Sequence, residues 1–332
     1  IYQDRMLSLQ STASDRAGFL SALTKVTRLI LQSAALGIGA LLVLQNEVTP
    51  GVMIAGSILI GRALAPMELL IGTWKQFVST RVAWARLNEL LTHFPARKPG
   101  MALPAPSGII SLEGVACVPP GGNAPVVSQV SLQAQPGDIV GIIGPSASGK
   151  STLARLLTGI WQPVMGKARI DGADINQWSR EDLGPYIGYL PQDIELFAGS
   201  IAENIARFGE LDSDAVVKAA QQAGVHDMIL RLPQGYDTAI GEGGSVLSGG
   251  QRQRIGLARS MYGTPRILVL DEPNANLDDS GERALLEALL RAKAARQTVI
   301  FITHRTSILA VADRLVVMKD GQVALQGPRN EV

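Results

Sequence analysis

The chain reads Gly144-Pro145-Ser146-Ala147-Ser148-Gly149-Lys150-Ser151 between an apolar run, Ile139–Ile143, and a helical pattern that begins at Thr152. Strand, glycine-rich turn and helix in this order form the context that a phosphate-binding P-loop requires. The two glycines let backbone N–H groups approach phosphate oxygens, and the helix start adds the positive end of its dipole. Lys150 supplies positive charge to the outer phosphates, and the Ser151 hydroxyl can bind Mg²⁺. This stretch therefore predicts a site for nucleotide phosphates and magnesium.

Two acids end a later apolar run, which reads Ile267-Leu268-Val269-Leu270-Asp271-Glu272. In a nucleotide site, Asp271 would hold Mg²⁺ directly or through water, and Glu272 would polarise an attacking water. A turn or a helix cap is the alternative explanation for acids at a strand end. The P-loop upstream favours the nucleotide interpretation.

A second glycine-containing helix start reads Leu247-Ser248-Gly249-Gly250-Gln251. A serine and two glycines ahead of a helix form another anion-binding helix N-terminus. One chain thus has two phosphate-binding helix starts, which need not belong to the same nucleotide site.

The composition limits the class of protein. Its 332 residues suffice for two domains, and the formal net charge of +1, without a basic run, gives no argument for a nucleic-acid partner. Cys117 is the only cysteine, which excludes an internal disulfide and fits a cytosolic setting for that part of the chain. Because the chain starts at Ile1 inside a helical pattern, we interpret it as part of a longer protein.

Two apolar segments, at about residues 28–46 and 50–72, have the length of membrane spans, for which about 20 apolar residues are needed. The first carries no charge from Leu29 onward, and only Arg62 and Glu68 interrupt the second. Basic residues flank the pair on its outer sides but are absent from the connection, so the hairpin is expected to enter from the cytoplasm and return to it. A buried helical hairpin in a soluble protein is the alternative.

Arg62 and Glu68 are costly inside a bilayer, so we expect them to face protein or water. One hypothesis is that they line a transport path. The other is that they contact a helix outside this sequence, or that Glu68 extends toward the cytoplasm.

These patterns predict three regions. Residues 1–94 form a partial transmembrane domain with helical extensions into the cytoplasm, and residues 95–108, with four prolines, form a linker. Residues 109–332 alternate strands and helices, which predicts a parallel sheet with its ligand at the carboxyl edge. Strands are predicted at 109–113, 127–133, 187–190, 267–270, 298–302 and 315–318, and helices at 213–223, 251–261 and 282–295.

With Gln192 and His304, which each follow a predicted strand, the motif set of residues 109–332 resembles the ABC ATPase family, and its motifs stand in that family's order. In the family's pattern, residues 144–152 match the Walker A motif, Asp271 and Glu272 the Walker B motif, residues 247–251 the signature, Gln192 the Q-loop, His304 the switch histidine, and Leu277 and Asp278 the D-loop.

The resemblance implies a fold and a mechanism. The fold is an α-helical membrane hairpin followed by an α/β ATPase domain with a RecA-like core, a helical subdomain and a small antiparallel β subdomain. ATP would bind with Mg²⁺ held by Ser151, Gln192 and Asp271, and Glu272, His304, Lys150 and Gln192 would serve catalysis. The family sandwiches ATP between the Walker A motif of one domain and the signature of another, so a homodimer is expected.

Two positions depart from the family's pattern. Pro119 stands where an aromatic ring commonly stacks on adenine, which predicts loose base selectivity. Asn276 stands in the D-loop where small residues are commoner, and we expect it to add hydrogen bonds across a dimer.

The order of membrane spans and ATPase resembles an exporter half-transporter. Several short sequence motifs are similar to those of bacterial type I secretion ATPases, in particular the alkaline-protease exporter group. Examples are Val118-Pro119-Pro120-Gly121 and Pro273-Asn274-Ala275-Asn276-Leu277-Asp278. That group implies a multi-pass protein of the bacterial inner membrane with its ATPase domain in the cytoplasm. It also implies a periplasmic adaptor, an outer-membrane tunnel and exported proteins that carry C-terminal signals.

Two other functions remain open. One is export of lipid, drug or peptide by the same fold. The other is a soluble ABC ATPase of DNA repair or translation, which the apolar hairpin and the lack of basic patches disfavour.

Overall fold

The computed structural model describes residues 2–94 and 103–332, with side chains described from Ser14 onward except those of Leu20 and Glu68. The chain forms two compact units, Ile1–Arg97 and Lys98–Val332. Residues 95–102 of the predicted linker lie outside the described residues.

The first unit is a hairpin of two long helices, α1 (Tyr2–Leu44) and α2 (Pro50–His93). Both are long and apolar enough to cross a membrane, and none of their most apolar stretch is buried. The helices touch where Gly39 faces Met53, so closely that a Cβ at Gly39 would lie 2.6 Å from the methionine Cγ. The remaining apolar faces are free to contact lipid or other helices.

The second unit is built on a six-stranded sheet in the order β10-β9-β3-β8-β7-β6. Neighbouring strands from β9 to β6 run parallel, and only β10 pairs antiparallel. The strands are β3 (Ile139–Ile143), β6 (Ile187–Leu190), β7 (Ile267–Asp271), β8 (Thr298–Ile302), β9 (Arg314–Lys319) and β10 (Gln322–Pro328).

A second sheet is antiparallel, in the order β2-β1-β4-β5. Its strands are β1 (Ile110–Cys117), β2 (Val127–Ala134), β4 (Met165–Ile170) and β5 (Ala173–Asp174).

Helices cover both faces of the parallel sheet. They are α3 (Lys150–Leu157), α4 (Arg180–Leu183), α5 (Ile201–Ile205), α6 (Ser213–Gln222), α7 (His226–Leu230), α8 (Gly249–Met261), α9 (Asp279–Ala294) and α10 (Thr306–Leu309), with 3₁₀ turns at Ile175–Gln177, Gly184–Tyr186, Gly235–Asp237 and Glu242–Gly244. Alternate residues of β7 and β8 enter two separate apolar cores, as the period of a strand requires. Leu268 and Phe301 face α5 to α9, whereas Val269 and Ile300 face α3 and the antiparallel sheet.

Helix α8 is fixed against β6 at two points. A Cβ at Gly188 would overlap the carbonyl oxygen of Ser260, so only glycine permits this approach. The Arg207 guanidinium donates to the carbonyl oxygens of Gly184 (2.8 Å) and Ser260 (3.2 Å), which joins the end of α8 to the chain that enters β6. Burial lowers the pKa of Arg207, and the positive charge of nearby Arg259 lowers it further.

The predicted fold class is confirmed: membrane-type helices precede an α/β domain that contains an antiparallel sheet and a helical subdomain. The predicted strands are all present, but β4, β5 and β10 were not predicted. Helix α9 begins three residues earlier than the sequence pattern indicated, because the Asp278 side chain accepts from the Gly281 N–H and caps it.

Candidate functional site

The chemistry-bearing residues gather at one edge of the parallel sheet. Strands β3, β8, β7 and β6 are consecutive neighbours. The P-loop follows β3, His304 follows β8, Glu272 follows Asp271 at the end of β7, and Gln192 follows β6. Carboxyl ends of parallel strands form a common crevice, so the topology explains why motifs far apart in sequence meet.

The P-loop has a backbone that requires glycine at its first position. Gly144 has a φ of 153°, and a Cβ there would overlap the carbonyl oxygen of Met318 on β9. Gly149, with a φ of 93°, precedes the first residue of α3. The loop therefore turns tightly beneath a helix start, and its N–H groups can surround an anion.

Lys150 is buried, and its ammonium group lies within this loop. Nζ donates to the carbonyl oxygens of Gly144 (2.9 Å) and Pro145 (2.7 Å). Burial lowers the pKa of Lys150, while the negative charges of Glu272 and Asp271 act in the opposite direction. The loop thus holds the charge at the place where phosphate would sit, with carbonyl oxygens as its present partners.

Asp271 and Ser151 form a fitting pair for a magnesium ion. The Asp271 carboxylate is 1% exposed, and the nearby Ser151 side chain favours its ionised form. Its Oδ1 atom has no hydrogen-bond partner among the described residues, and burial raises the pKa of the carboxyl. A buried carboxylate oxygen without a partner beside a hydroxyl is a donor set suited to Mg²⁺, whose other ligands would be phosphate oxygens and water. Gln192, the third predicted ligand, is exposed at the end of the neighbouring strand β6.

Glu272 is held by its backbone in a left-handed conformation with a φ of 50°. Its N–H donates to the carbonyl oxygen of Ile302 at 3.0 Å, and its own carbonyl oxygen accepts from Gln253 Nε2 at 3.1 Å. Its Oε1 atom lies 3.3 Å from Nε2 of His304. The structure therefore brings Glu272 and His304 together and adds Gln253, a buried residue of α8 that the sequence did not single out.

The signature segment starts α8 with a reciprocal cap. The Ser248 hydroxyl accepts from the Gln251 N–H at 3.3 Å, and the Gln251 side chain accepts from the Ser248 N–H at 2.8 Å. Leu247 is buried, whereas Ser248 is exposed. The serine thus presents the helix start to solvent rather than to its own chain's core.

The D-loop packs against this helix start. A Cβ at Gly250 would lie 2.8 Å from the carbonyl oxygen of Asn276, and one at Gly249 would lie 3.6 Å from the Asn276 side chain. Asn276 therefore lies beside the signature glycines of its own chain, while the predicted hydrogen bonds across a dimer stay a prediction.

The remaining candidate residues lie elsewhere. Pro119 follows β1 in a turn that the Gly122 N–H closes on the Pro119 carbonyl at 2.9 Å. Arg62 is exposed on α2, in the other unit, and the side chain of Glu68 lies outside the described residues. The transport-path role of these two residues stays a prediction.

Comparison with known proteins agrees with this geometry. Residues 127–275 match the family model described as ABC transporter, and the ATPase domain is therefore of that type. The chain is similar to a solved structure of a bacterial Atm1-family ABC exporter with ATP bound, with a TM-score of 0.82, 30% identity, 95% of this chain covered and 56% of that one. The chain belongs to the ABC transporter family, with the order of membrane helices and ATPase found in exporters.

Within that family, the relatives are ATP-binding proteins of type I secretion. The chain is 51% identical over 320 residues to the type I secretion system ATP-binding protein PrsD of Rhizobium meliloti, covering 96% of this chain and 55% of that protein. It is 39% identical over 309 residues to the cyclolysin secretion/processing ATP-binding protein CyaB of Bordetella pertussis, covering 92% of this chain and 43% of that protein. The chain thus spans about half the length of the curated relatives that it matches. The exporter likeness and the two apolar helices indicate a membrane protein.

Proposed function

We propose that this chain hydrolyses ATP to drive protein export as the inner-membrane subunit of a type I secretion system. The observation that carries the proposal is the 51% identity to PrsD across 96% of the chain, which includes the apolar hairpin as well as the ATPase domain. The multi-pass location, the periplasmic adaptor and the outer-membrane tunnel are parts of the same proposal. So is a cargo of proteins with C-terminal secretion signals.

Hydrolysis would use the residues at the sheet edge. Mg²⁺ held by Ser151, Asp271 and Gln192 would neutralise charge on the phosphates. Lys150 would exchange its two carbonyl partners for phosphate oxygens. The exchange is favourable because a charged acceptor stabilises a buried ammonium group more than a neutral carbonyl does. Glu272 would polarise the attacking water, and His304 would donate to the γ-phosphate from its position beside Glu272.

The ATP site would be completed by a second copy of the chain. Each chain has one P-loop and one capped signature helix, and the exposure of Ser248 leaves its helix start available to an anion bound elsewhere. Two chains arranged head to tail would give two equivalent composite sites. Closure on ATP would then move the membrane helices, and hydrolysis would release them.

Secretion by cells tests the proposal. We expect deletion of the gene to remove one or more proteins with C-terminal signals from the culture medium, and the wild-type gene to restore them. Glu272→Gln should fail to restore export and should lower ATP turnover by about 10²-fold or more, because the general base is lost while ATP still binds. Unchanged secreted proteins, together with an altered lipid or drug content, would instead favour the other class of exporter.

A further inference from the structure

A buried hydrogen bond joins the two loops that carry Glu272 and His304. Thr303 Oγ1 lies 3.0 Å from Oδ1 of Asn274, and these residues are 0% and 4% exposed. The Thr303 hydroxyl also accepts from the Arg305 N–H at 3.1 Å. Because a hydroxyl has a single proton and one of its lone pairs is occupied by that N–H, the proton is free to be donated to Asn274.

The two bonded residues are close in the sequence to the two residues proposed to take part in the reaction. Thr303 directly precedes His304, and Asn274 is two residues after Glu272. The backbone at Thr303 is anchored independently of this side-chain bond, since the Thr303 N–H donates to the carbonyl oxygen of Ile142 on β3 at 3.3 Å. Beyond the sheet, the Asn274–Thr303 bond is a buried side-chain link between the loop after β7 and the loop after β8, in addition to the exposed contact of Glu272 with His304.

The side chains of His304 and Glu272 are partly exposed to solvent and only weakly held. The side chains of His304 and Glu272 are 47% and 26% exposed, and their nitrogen and oxygen atoms lie 3.3 Å apart. A contact of this kind does not fix its own geometry, because water competes for both groups. Two buried groups with a satisfied hydrogen bond do fix a geometry, since leaving either one unpaired costs free energy.

We propose that Asn274 and Thr303 are positioning residues that set the distance between the Glu272 carboxylate and the His304 imidazole. The inference rests on the proposed roles of Glu272 and His304 in ATP hydrolysis. Neither Asn274 nor Thr303 is expected to contact the nucleotide. They act by holding the two loops at one separation, so that water and the γ-phosphate meet both groups at once.

The test is a set of variants of the full chain, purified in detergent, with ATP turnover and melting temperature measured for each. Thr303→Val removes the hydroxyl at nearly constant volume, and Asn274→Leu removes its acceptor. We expect each to lower kcat by about 10- to 100-fold, because small misplacements of catalytic groups have effects of that order, with KM for ATP changed less than about 3-fold. Thr303→Ser keeps the hydroxyl and should restore kcat to within about 3-fold of wild type.

Thr298→Val is the matched control. Thr298 begins the same strand β8, is equally buried, and donates to the Gly108 carbonyl at the opposite end of the strand. We expect this variant to lower the melting temperature without lowering kcat. The double variant Asn274→Leu/Thr303→Val should be no slower than the slower single variant, because both remove the same link.

The outcomes separate the inference from the proposed function. If Glu272→Gln abolishes turnover but Thr303→Val does not reduce it, the positioning role is wrong and the proposed catalytic site stands. If Thr298→Val loses as much kcat as Thr303→Val, or if Thr303→Ser fails to restore turnover, the bond is only structural and the inference is overturned. If Glu272→Gln turns over ATP like wild type, the proposed site fails and the inference falls with it.

Discussion

At the scale of single residues, the site is defined by charges that the fold buries without full compensation. Lys150 is bonded to carbonyl oxygens and Asp271 has a carboxylate oxygen without a partner. Burial lowers the pKa of the first and raises the pKa of the second, so it opposes the charged form of each. Such an arrangement is costly, and binding of phosphate and a metal ion would compensate it.

Asp271→Asn should stabilise the metal-free chain at neutral pH while it abolishes magnesium-dependent turnover. The pKa of the folded-state carboxyl is raised, so the folded chain binds the proton more tightly than the unfolded chain. The stability that this gives is present below the ordinary carboxyl pKa of about 4 and is lost as pH rises through the raised value. The variant's advantage should therefore be absent near pH 4 and grow toward pH 8.

Melting temperatures measured across this pH range, with a metal chelator and without nucleotide, check the prediction. A wild-type chain that melts above Asp271→Asn at pH 8 would show that the buried carboxylate is well compensated without metal.

At the scale of elements, the sequence is informative where burial is complete and weak where it is not. Strands such as β7 and β8 are buried at every residue and read as apolar runs. Strand β4 is exposed over its first three residues and β10 over most of its length, neither has a long apolar run, and both went unpredicted. The motifs at the sheet edge could be located because each places glycine, charged or polar residues after an apolar strand run.

The contacts that hold the motifs could not be found from the sequence. Gln253 and Glu272 are 19 positions apart, and Asn274 and Thr303 are 29 apart. Their meeting depends on strand order and register, in particular on Asp271 pairing with Ile302. A polar residue at such a position looks like any other until the sheet is assembled.

Gly144 shows how an element's turn depends on one residue. We expect Gly144→Ala to lower the free energy of unfolding by at least about 3 kcal/mol. The new methyl group must displace the Met318 carbonyl, and the alanine backbone must keep an unfavourable φ. Gly172→Ala is the control, since Gly172 also has a positive φ, of 81°, but has open space around its Cβ position. That change should cost only about 1 kcal/mol.

Chemical denaturation of both variants distinguishes the two contributions. Equal losses of stability would mean that the P-loop does not depend on its close approach to β9.

At the scale of the whole molecule, the two units have different surfaces. The ATPase unit buries two apolar cores, whereas the helical hairpin exposes large apolar side chains along its length, among them Leu29, Ile38, Leu59 and Trp74. Such surfaces need lipid or other helices to cover them. The chain spans about half the length of the relatives that it matches, and the proposed transport path would be formed by an assembled transporter rather than by this hairpin alone.

In the proposed site, one chain's P-loop works with another chain's signature, and mixing two inactive variants tests this sharing. Lys150→Ala disables the P-loop, and Ser248→Glu disables the signature by placing negative charge at the helix start that receives phosphate. The two variants, carrying different affinity tags, would be expressed together and the mixed dimers isolated. A mixed dimer has one site with both defects and one site with neither.

We expect each variant alone to be inactive and mixed dimers to recover ATP turnover, to about half of the wild-type value if the two sites work independently. Mixed dimers as inactive as either variant, although formed in normal yield and able to bind ATP, would contradict a site shared between two chains.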